Sequence, residues 1–239
     1  MSVVLMYHDI VTANDKSSGF QNESAFQYKV EESAFEEQVK ALQGKDVVFT
    51  FDDGGESFIS NAAPILEKNG FKGIFFISTK YIGTPGFLTV EQVKGLSERG
   101  HAVGSHSHTH PHNMAELTDE EIEQEWVESV KALEAILGHA VKYASIPNGY
   151  SSPTIITKAK NSGIDYLYTS TPTDKVAQKE GLSIIGRYVV HDKMSTSEVL
   201  SVVNSSVTRR KKHIKWLALE TAKKILGGNY DKVKSLVVK

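Results

Sequence analysis

Two adjacent aspartates, Asp52 and Asp53, end an apolar run from Val47 to Phe51 and are followed at once by Gly54-Gly55. Neighbouring side chains of a regular strand point to opposite faces, so both carboxylates can serve one site only where the backbone leaves the strand. The glycine pair permits such a turn. Taken alone, the residues also read as an ordinary acidic turn. Further along comes His106-Ser-His108-Thr-His110-Pro111-His112. His106 and His110, four apart, bring both imidazoles to one side if the segment makes one helix-like turn. Two histidines plus one carboxylate, with positions left open for water, hold Zn²⁺ in many hydrolytic sites. The same set suits Fe²⁺ and other divalent ions. The alternative is a solvated histidine-rich loop. His108 and His112 read as loop residues, and His101 as a surface or packing histidine. There is no cysteine, which excludes disulfides and thiolate metal sites and leaves His, Asp and Glu as the ligands available.

Apolar runs and helical periodicities alternate along the chain. Strands are expected at Val3 to Tyr7, Val47 to Phe51, Ile74 to Ile77, Ala102 to Ser105, Tyr143 to Ile146, Ile164 to Thr169 and Ile184 to Val190. Between them, Thr89 with Gln92, Thr118 with Glu121 and Ser195 with Glu198 have capping-box spacing, and Ser152-Pro153 reads as N-cap and first helical residue. Residues 11–30 are polar and irregular, either a lid or a surface loop. About seven strand–helix alternations without repeats or a low-complexity linker predict one parallel α/β domain, barrel or open sheet. Ligands of either fold sit at the C-terminal ends of the strands. Asp52/Asp53, the loop from His106 and Pro147-Asn148-Gly149 all fall at such ends.

In order, Thr50-Phe51-Asp52-Asp53-Gly54, His106-Ser-x-x-His110-Pro111 and Pro147-x-Gly149 resemble the motifs of the polysaccharide deacetylase family, carbohydrate esterase family 4. The opening Leu5-Met6-Tyr7-His8 and the helix around Phe35 to Leu42 add to the likeness, which covers roughly residues 3–192. The resemblance implies a distorted (β/α) barrel with about seven parallel strands in a single domain. It also implies a hydrolase that takes an acetyl group, N-acetyl above all, from a carbohydrate or glycan precursor. Asp53, His106 and His110 would then hold a divalent metal, zinc first, with cobalt, nickel, iron or manganese as alternatives. Asp52 would be the general base, and the backbone N–H of Asn148, between Pro147 and Gly149, the oxyanion donor, worth about 3 kcal/mol in hydrolases. His191, after Arg187-Tyr-Val-Val190 and beside Asp192, would protonate the leaving amine. His8 is expected to line the pocket, and Tyr150, Tyr168 and Phe87 are the aromatic candidates for holding a sugar ring.

Two departures stand out. Where the third family motif begins with Arg, this chain has Ser145, so the residue that orients the base is missing; Arg187 could replace its guanidinium in space. Where the fourth motif offers an Asp, the chain has Ser170-Thr171-Pro172-Thr173, with Asp174 a poor substitute. They leave two other readings open: a metal-dependent hydrolase of a non-sugar amide or imide, and a glycan-binding relative without catalysis.

The net charge of −2 conceals a polarity. Residues 209–239 carry ten Lys/Arg and two Asp/Glu, leaving −10 on residues 1–208. We therefore expect a catalytic domain over 1–208 and a basic amphipathic helix or tail over 209–239, with Trp216 among its apolar residues. Such a helix either packs on the barrel or rests weakly on an anionic membrane, where a lipid-linked sugar would be a natural substrate. Nucleic acid is not an expected partner of the acidic body. The first ten residues do not resemble a secretory signal, so the expected place is the cytoplasm, peripheral to the inner membrane surface.

Overall fold

The computed structural model describes residues 2–226. Its strands are Val3–Tyr7 (β1), Ile10–Val11 (β2), Val30–Glu31 (β3), Val47–Phe51 (β4), Gly73–Ile77 (β5), Ala102–Ser105 (β6), Tyr143–Ser145 (β7), Tyr166–Tyr168 (β8), Val176–Lys179 (β9), Leu182–Ile185 (β10) and Tyr188–Val189 (β11). The main sheet runs β11-β1-β4-β5-β6-β7-β8-β10-β9. Every neighbouring pair in it is parallel except β9 with β10. The strands β2 and β3 form a small parallel ribbon of their own.

The ends of this order explain its shape. Ile185 of β10 and Tyr188 of β11 are three residues apart, a reach of about 10 Å, yet β10 pairs with β8 and β11 with β1 at the far end of the parallel run. The sheet must curl until those ends nearly meet. The stretch expected as one strand over Ile184 to Val190 is therefore a closing strand that changes partner at Gly186-Arg187. Gly186 is required there, since a Cβ would stand 2.4 Å from the carbonyl oxygen of Thr171. With β10 and β11 counted as one position, the parallel barrel has seven.

Helices cover the outside: Glu32–Ala41 (α2, after the short α1 at Glu23–Phe26), Ala63–Lys68 (α3), Val90–Glu98 (α4), Asp119–Leu137 (α5), Pro153–Asn161 (α6), Thr196–Asn204 (α7) and Ser206–Leu226 (α8). The capping boxes of Thr89, Thr118 and Ser195 are formed in full, and Ser152 caps α6 through its hydroxyl. Alternate residues of the central strands split between two apolar clusters. Leu5, Tyr7, Phe49, Phe51 and Phe75 join the large core with the helices, whereas Val4, Val48, Ile74, Phe76 and Tyr168 pack together on the other face, inside the barrel. His101 belongs to the packing: it is buried, its Nδ1 accepts the Gly73 N–H at 3.0 Å and its Nε2 meets Glu67 at 2.9 Å.

The segment 11–30 is more ordered than its composition suggests. Buried Lys29 bonds the carbonyl oxygens of Lys16 and Ser18 and lies 3.8 Å from buried Asp9, which also accepts from Ser18 and Ser57. At the other end, the boundary expected at 208/209 falls inside α8, and residues 227–239 of the basic tail lie outside the described part.

Candidate active site

Along β4 the inward-facing residues Val48 and Thr50 are continued by Asp52, which is buried. Asp53 should face the other way. It does not, because its φ is 90° and that of Gly54 is 97°, so the chain reverses its facing over one residue. Two strands further on, the loop after β6 brings in both histidines. His106 Nε2 lies 3.4 Å and His110 Nε2 3.3 Å from Asp53 Oδ1. One ligand atom from each of the three lies within 4.8 Å of the others. A helix-like turn is not what brings the rings together. Left-handed φ at Ser107 (62°) and His110 (55°) folds the loop, and buried Glu125 of α5 pins it by accepting the backbone N–H groups of His108 and Thr109, both at 2.8 Å.

The donor set fits a divalent cation. His106 Nδ1 faces the Ser145 carbonyl oxygen at 3.1 Å and the Ser145 hydroxyl at 2.5 Å, which fixes the ring and leaves Nε2 for the ion, the usual arrangement of a metal-bound histidine. Burial raises the Asp53 carboxyl, but hydrogen bonds from His106 and His110 outweigh it and hold it well below the ordinary range. Burial lowers His110, and its bond to Asp53 more than reverses that. A cation would stand where those protons are shared.

Asp52 has a different environment. Arg187 is wholly buried, and its two terminal nitrogens meet the two Asp52 oxygens at 2.6 and 2.7 Å. The guanidinium is fixed further by Thr50 Oγ1 at 3.2 Å, the Thr169 carbonyl oxygen at 3.2 Å and the face of Phe76. Burial pushes the Asp52 carboxyl up; Arg187 first, then His106, hold it below the usual carboxylate range. Arg187 thus gives Asp52 a guanidinium partner from the closing strand. Ser145 stands there too, its hydroxyl 3.3 Å from Asp52 Oδ1. Asp174 bonds Arg209 of α8 at 3.0 Å.

Above these carboxylates opens a cleft of about 380 Å³. His8, Asn148, Gly149 and Tyr150 line it as expected, and Asn148 has the left-handed φ of 55°. Pro147 is buried. His8 stacks on Tyr28 at 4.7 Å, and its Nδ1 is buried without a hydrogen-bond partner. His191 is 42% exposed, lies 3.9 Å from Asp192 and is not part of the cleft wall. His108 turns away to Thr79 and Glu128, and His112 lies beside Tyr150. Tyr168 packs on Phe76 inside the barrel, and Phe87 packs on Phe20 and Tyr81 away from the cleft.

Residues 40–167 match the family model described as polysaccharide deacetylase, which is more than half of the chain. The chain belongs to the polysaccharide deacetylase family. The Bacillus subtilis protein YxkH is 26% identical over 213 residues, which cover 84% of this chain and 76% of that one. A peptidoglycan-N-acetylglucosamine deacetylase of Bacillus cereus is 28% identical over 105 residues, 44% of this chain and 36% of its relative. Among solved structures, the Streptococcus pyogenes deacetylase PplD superposes with a TM-score of 0.71 at 21% identity, covering 85% of this chain and 98% of that one. The barrel is therefore a deacetylase-family barrel. Its family-matched span holds Asp52, Asp53, His106, His110 and Asn148, while His8 and Arg187 lie outside it.

Sequence reasoning missed Glu125 and the cleft walls. Glu125 sits on α5, which otherwise reads as a simple amphipathic helix. Phe20 and Tyr28 of the early segment and Trp216 and Leu219 of α8 line the cleft from far along the chain. Only the unusual apolar content of the basic helix hinted at the last pair.

Proposed function

We propose that the chain is a metal-dependent carbohydrate deacetylase that hydrolyses an N-acetyl group. The observation that carries this is the convergence of Asp53, His106 and His110 beside a second carboxylate, Asp52, kept charged by Arg187. A divalent ion held by the three, zinc before cobalt, nickel, iron or manganese, would supply Lewis acidity toward water and toward the acetyl carbonyl. Asp52 takes the proton that the attacking water gives up, as a positioned carboxylate can. The Asn148 N–H serves the oxygen that becomes negative. As the C–N bond breaks, the nitrogen needs a proton. His8 provides it in place of His191, because its ring lines the cleft and that of His191 does not. Acetate and a free amine are the products.

The aromatic rings around the cleft, Phe20, Tyr28, Tyr150 and Trp216, favour a sugar over a small cyclic amide or imide. A weak contact with an anionic membrane at the inner leaflet, with a lipid-linked acetylated sugar as substrate, is a second reading for the partner. It rests on the outward face of α8, where Val207, Ile214 and Leu217 are exposed beside Arg210 and Lys211. Loss of vesicle binding in Ile214→Glu/Leu217→Glu would support it.

The test is acetate release from a panel of acetylated sugars, with and without chelator. Asp52→Asn, His8→Ala and His191→Ala run beside the wild type. Release should vanish with chelator, return with Zn²⁺ or Co²⁺, fall sharply in Asp52→Asn and His8→Ala, and persist in His191→Ala. Retained activity in chelator, or in Asp52→Asn, removes the proposal. One tightly bound metal with no release from any sugar points to the amide hydrolase or to a silent glycan binder.

A further inference from the structure

In three places a residue that lines the cleft adjoins, in the chain, one that lies behind the wall in a buried polar knot. His8 lines the cleft and Asp9 does not; Phe20 lines it and Ser18-Gly19 do not; Tyr28 lines it and Lys29 does not. Asp9 and Lys29 are only 3% and 4% exposed. Lys29 Nζ lies 3.8 Å from Asp9 Oδ2 and 2.9 Å from the Lys16 carbonyl oxygen, and it bonds the Ser18 carbonyl oxygen as well. The Asp9 carboxylate accepts the Ser18 hydroxyl at 2.6 Å and the Ser57 hydroxyl at 3.0 Å. Two glycines make room for it. A Cβ at Gly19 would overlap Asp9 Oδ2, and one at Gly55 would overlap Asp9 Oδ1. The carboxylate therefore sits between the backbone that leads to Phe20 and the turn that follows Asp53. The Gly86 carbonyl oxygen ties the same two stretches, accepting the Gly19 N–H at 2.7 Å and the Glu56 N–H at 3.0 Å. Asp9, Ser18 and Lys29 all precede the family-matched span.

The geometry points to Asp9 and Lys29 as positioning residues: their ion pair clasps residues 16–29 against the end of β1, so that Phe20 and Tyr28 form the cleft wall before substrate arrives. The inference rests on the deacetylase reading and adds how that site is kept ready. The clasp acts through the rings beside it. Tyr28 stacks on His8 at 4.7 Å, and Phe20 packs on the ring of His110 at 4.9 Å. Stability alone does not account for the pair. Burial pushes the Asp9 carboxyl up and the Lys29 ammonium down, and an apolar replacement of a buried pair is often as stable or more so. What the charges add is a single geometry. The ammonium has three protons, and two carbonyl oxygens and one carboxylate from separate stretches of chain surround it. The histidine loop is pinned separately by Glu125, so the clasp governs the wall and not the ion. A wall that is already formed spares the substrate the cost of ordering it.

The experiment compares the full chain, loaded with Zn²⁺, as wild type, Lys29→Met and Asp9→Asn/Lys29→Met. It follows melting, amide hydrogen exchange, and kcat and KM for acetate release from β-1,4-linked N-acetylglucosamine tetramer. Lys29→Met strands the Asp9 charge and should melt lowest. The double variant removes both charges, and asparagine fills the same space between the two glycines, so it should regain most of the lost melting temperature and keep its Zn²⁺ affinity. Its KM should nevertheless stay about tenfold raised with kcat within about twofold of wild type, as for a wall formed about one-tenth of the time. Amides of residues 16–29 should exchange about tenfold faster. A merely structural pair would lower the melting temperature and leave KM where it was. An unchanged KM in the double variant, or a loss confined to kcat, overturns the inference. Should that variant fail to fold, the wild type decides: the Gly19 and Val30 amides, bonded to the Gly86 and Asp9 carbonyl oxygens, should exchange as slowly as those of α5. Exchange at the rate of an open loop overturns the clasp. If the wild type releases no acetate, the deacetylase reading fails on its own, and unchanged exchange of residues 16–29 in the double variant is then what removes the clasp.

Discussion

Replacing Arg187 by Met tests how the base is held. The guanidinium is fully buried and gives two short bonds to Asp52, itself 3% exposed, so its removal strands a carboxylate in the barrel interior. Removing one partner of a buried ion pair costs about 3–5 kcal/mol, because the other charge is left uncompensated. For a chain of this length that lowers the melting temperature by roughly 6–20 °C. Asp52→Asn removes the stranded charge, so the double variant should be about 2 kcal/mol or more better than the sum of the two single losses. Arg187→Lys keeps a charge but loses the planar two-point contact, and should fall between wild type and Arg187→Met. The assay is urea unfolding of all four variants at neutral pH, with acetate release followed in Arg187→Met and Arg187→Lys. We expect kcat in Arg187→Met to fall about a hundredfold, as misplacement of a reacting group does. A loss of stability under about 1 kcal/mol in Arg187→Met, or strict additivity in the double variant, would mean that Arg187 does not compensate a buried charge on Asp52.

Asp53→Ala and His110→Ala should each abolish tight Zn²⁺ binding in a calorimetric titration; wild-type affinity in either would move the metal elsewhere. Glu125→Gln removes a charge from the carboxylate that pins the histidine loop, and metal affinity should drop about 10- to 100-fold with the fold intact by circular dichroism. Glu67 is held at about 2, first by hydrogen bonds from Arg99 and, against the effect of burial, by His101. Its folded value is depressed, so its contribution is complete above its unfolded value near 4.3 and is lost as pH falls toward 2. Solvent screening limits that contribution to about 1 kcal/mol. Urea unfolding should therefore show Glu67→Gln weaker than wild type at pH 7, with the gap narrowing as pH falls below about 4 and closing only toward pH 2; a gap of constant size would exclude the linkage.

Much of this molecule can be read from local signals. The capping boxes at Thr89, Thr118 and Ser195 depend on residues three apart, and all three form. The floor of the site was legible because a strand followed by two acids and two glycines, and a pair of histidines four apart, are local patterns too. What escaped depends on contacts distant in sequence. Ile184 to Val190 reads as one apolar strand. Its change of partner at Gly186-Arg187, which turns Arg187 inward, follows from the approach of the Thr171 carbonyl and the need to close the barrel. His8 and His191 both follow apolar runs, and only the curled sheet places one in the cleft and leaves the other half in solvent. The polar composition of 11–30 hides the buried Lys29 that ties it down. Trp216 could be assigned to a helix face from the sequence, but not to the face that covers a site built some 100 residues earlier.

The backbone at the floor has a consequence for how such a chain can drift. Asp53, Ser107, His110 and Asn148 are four of the five non-glycine residues with positive φ among the described residues. Such conformations cost on the order of 1–3 kcal/mol each, least for Asn148, whose residue type tolerates the left-handed region well. Together they approach the whole net stability of an ordinary domain, about 5–15 kcal/mol. A gene copy released from catalysis would gain robustness by glycine substitution at Asp53, Ser107 or His110. The barrel could thus outlive its chemistry and become sturdier as it lost it.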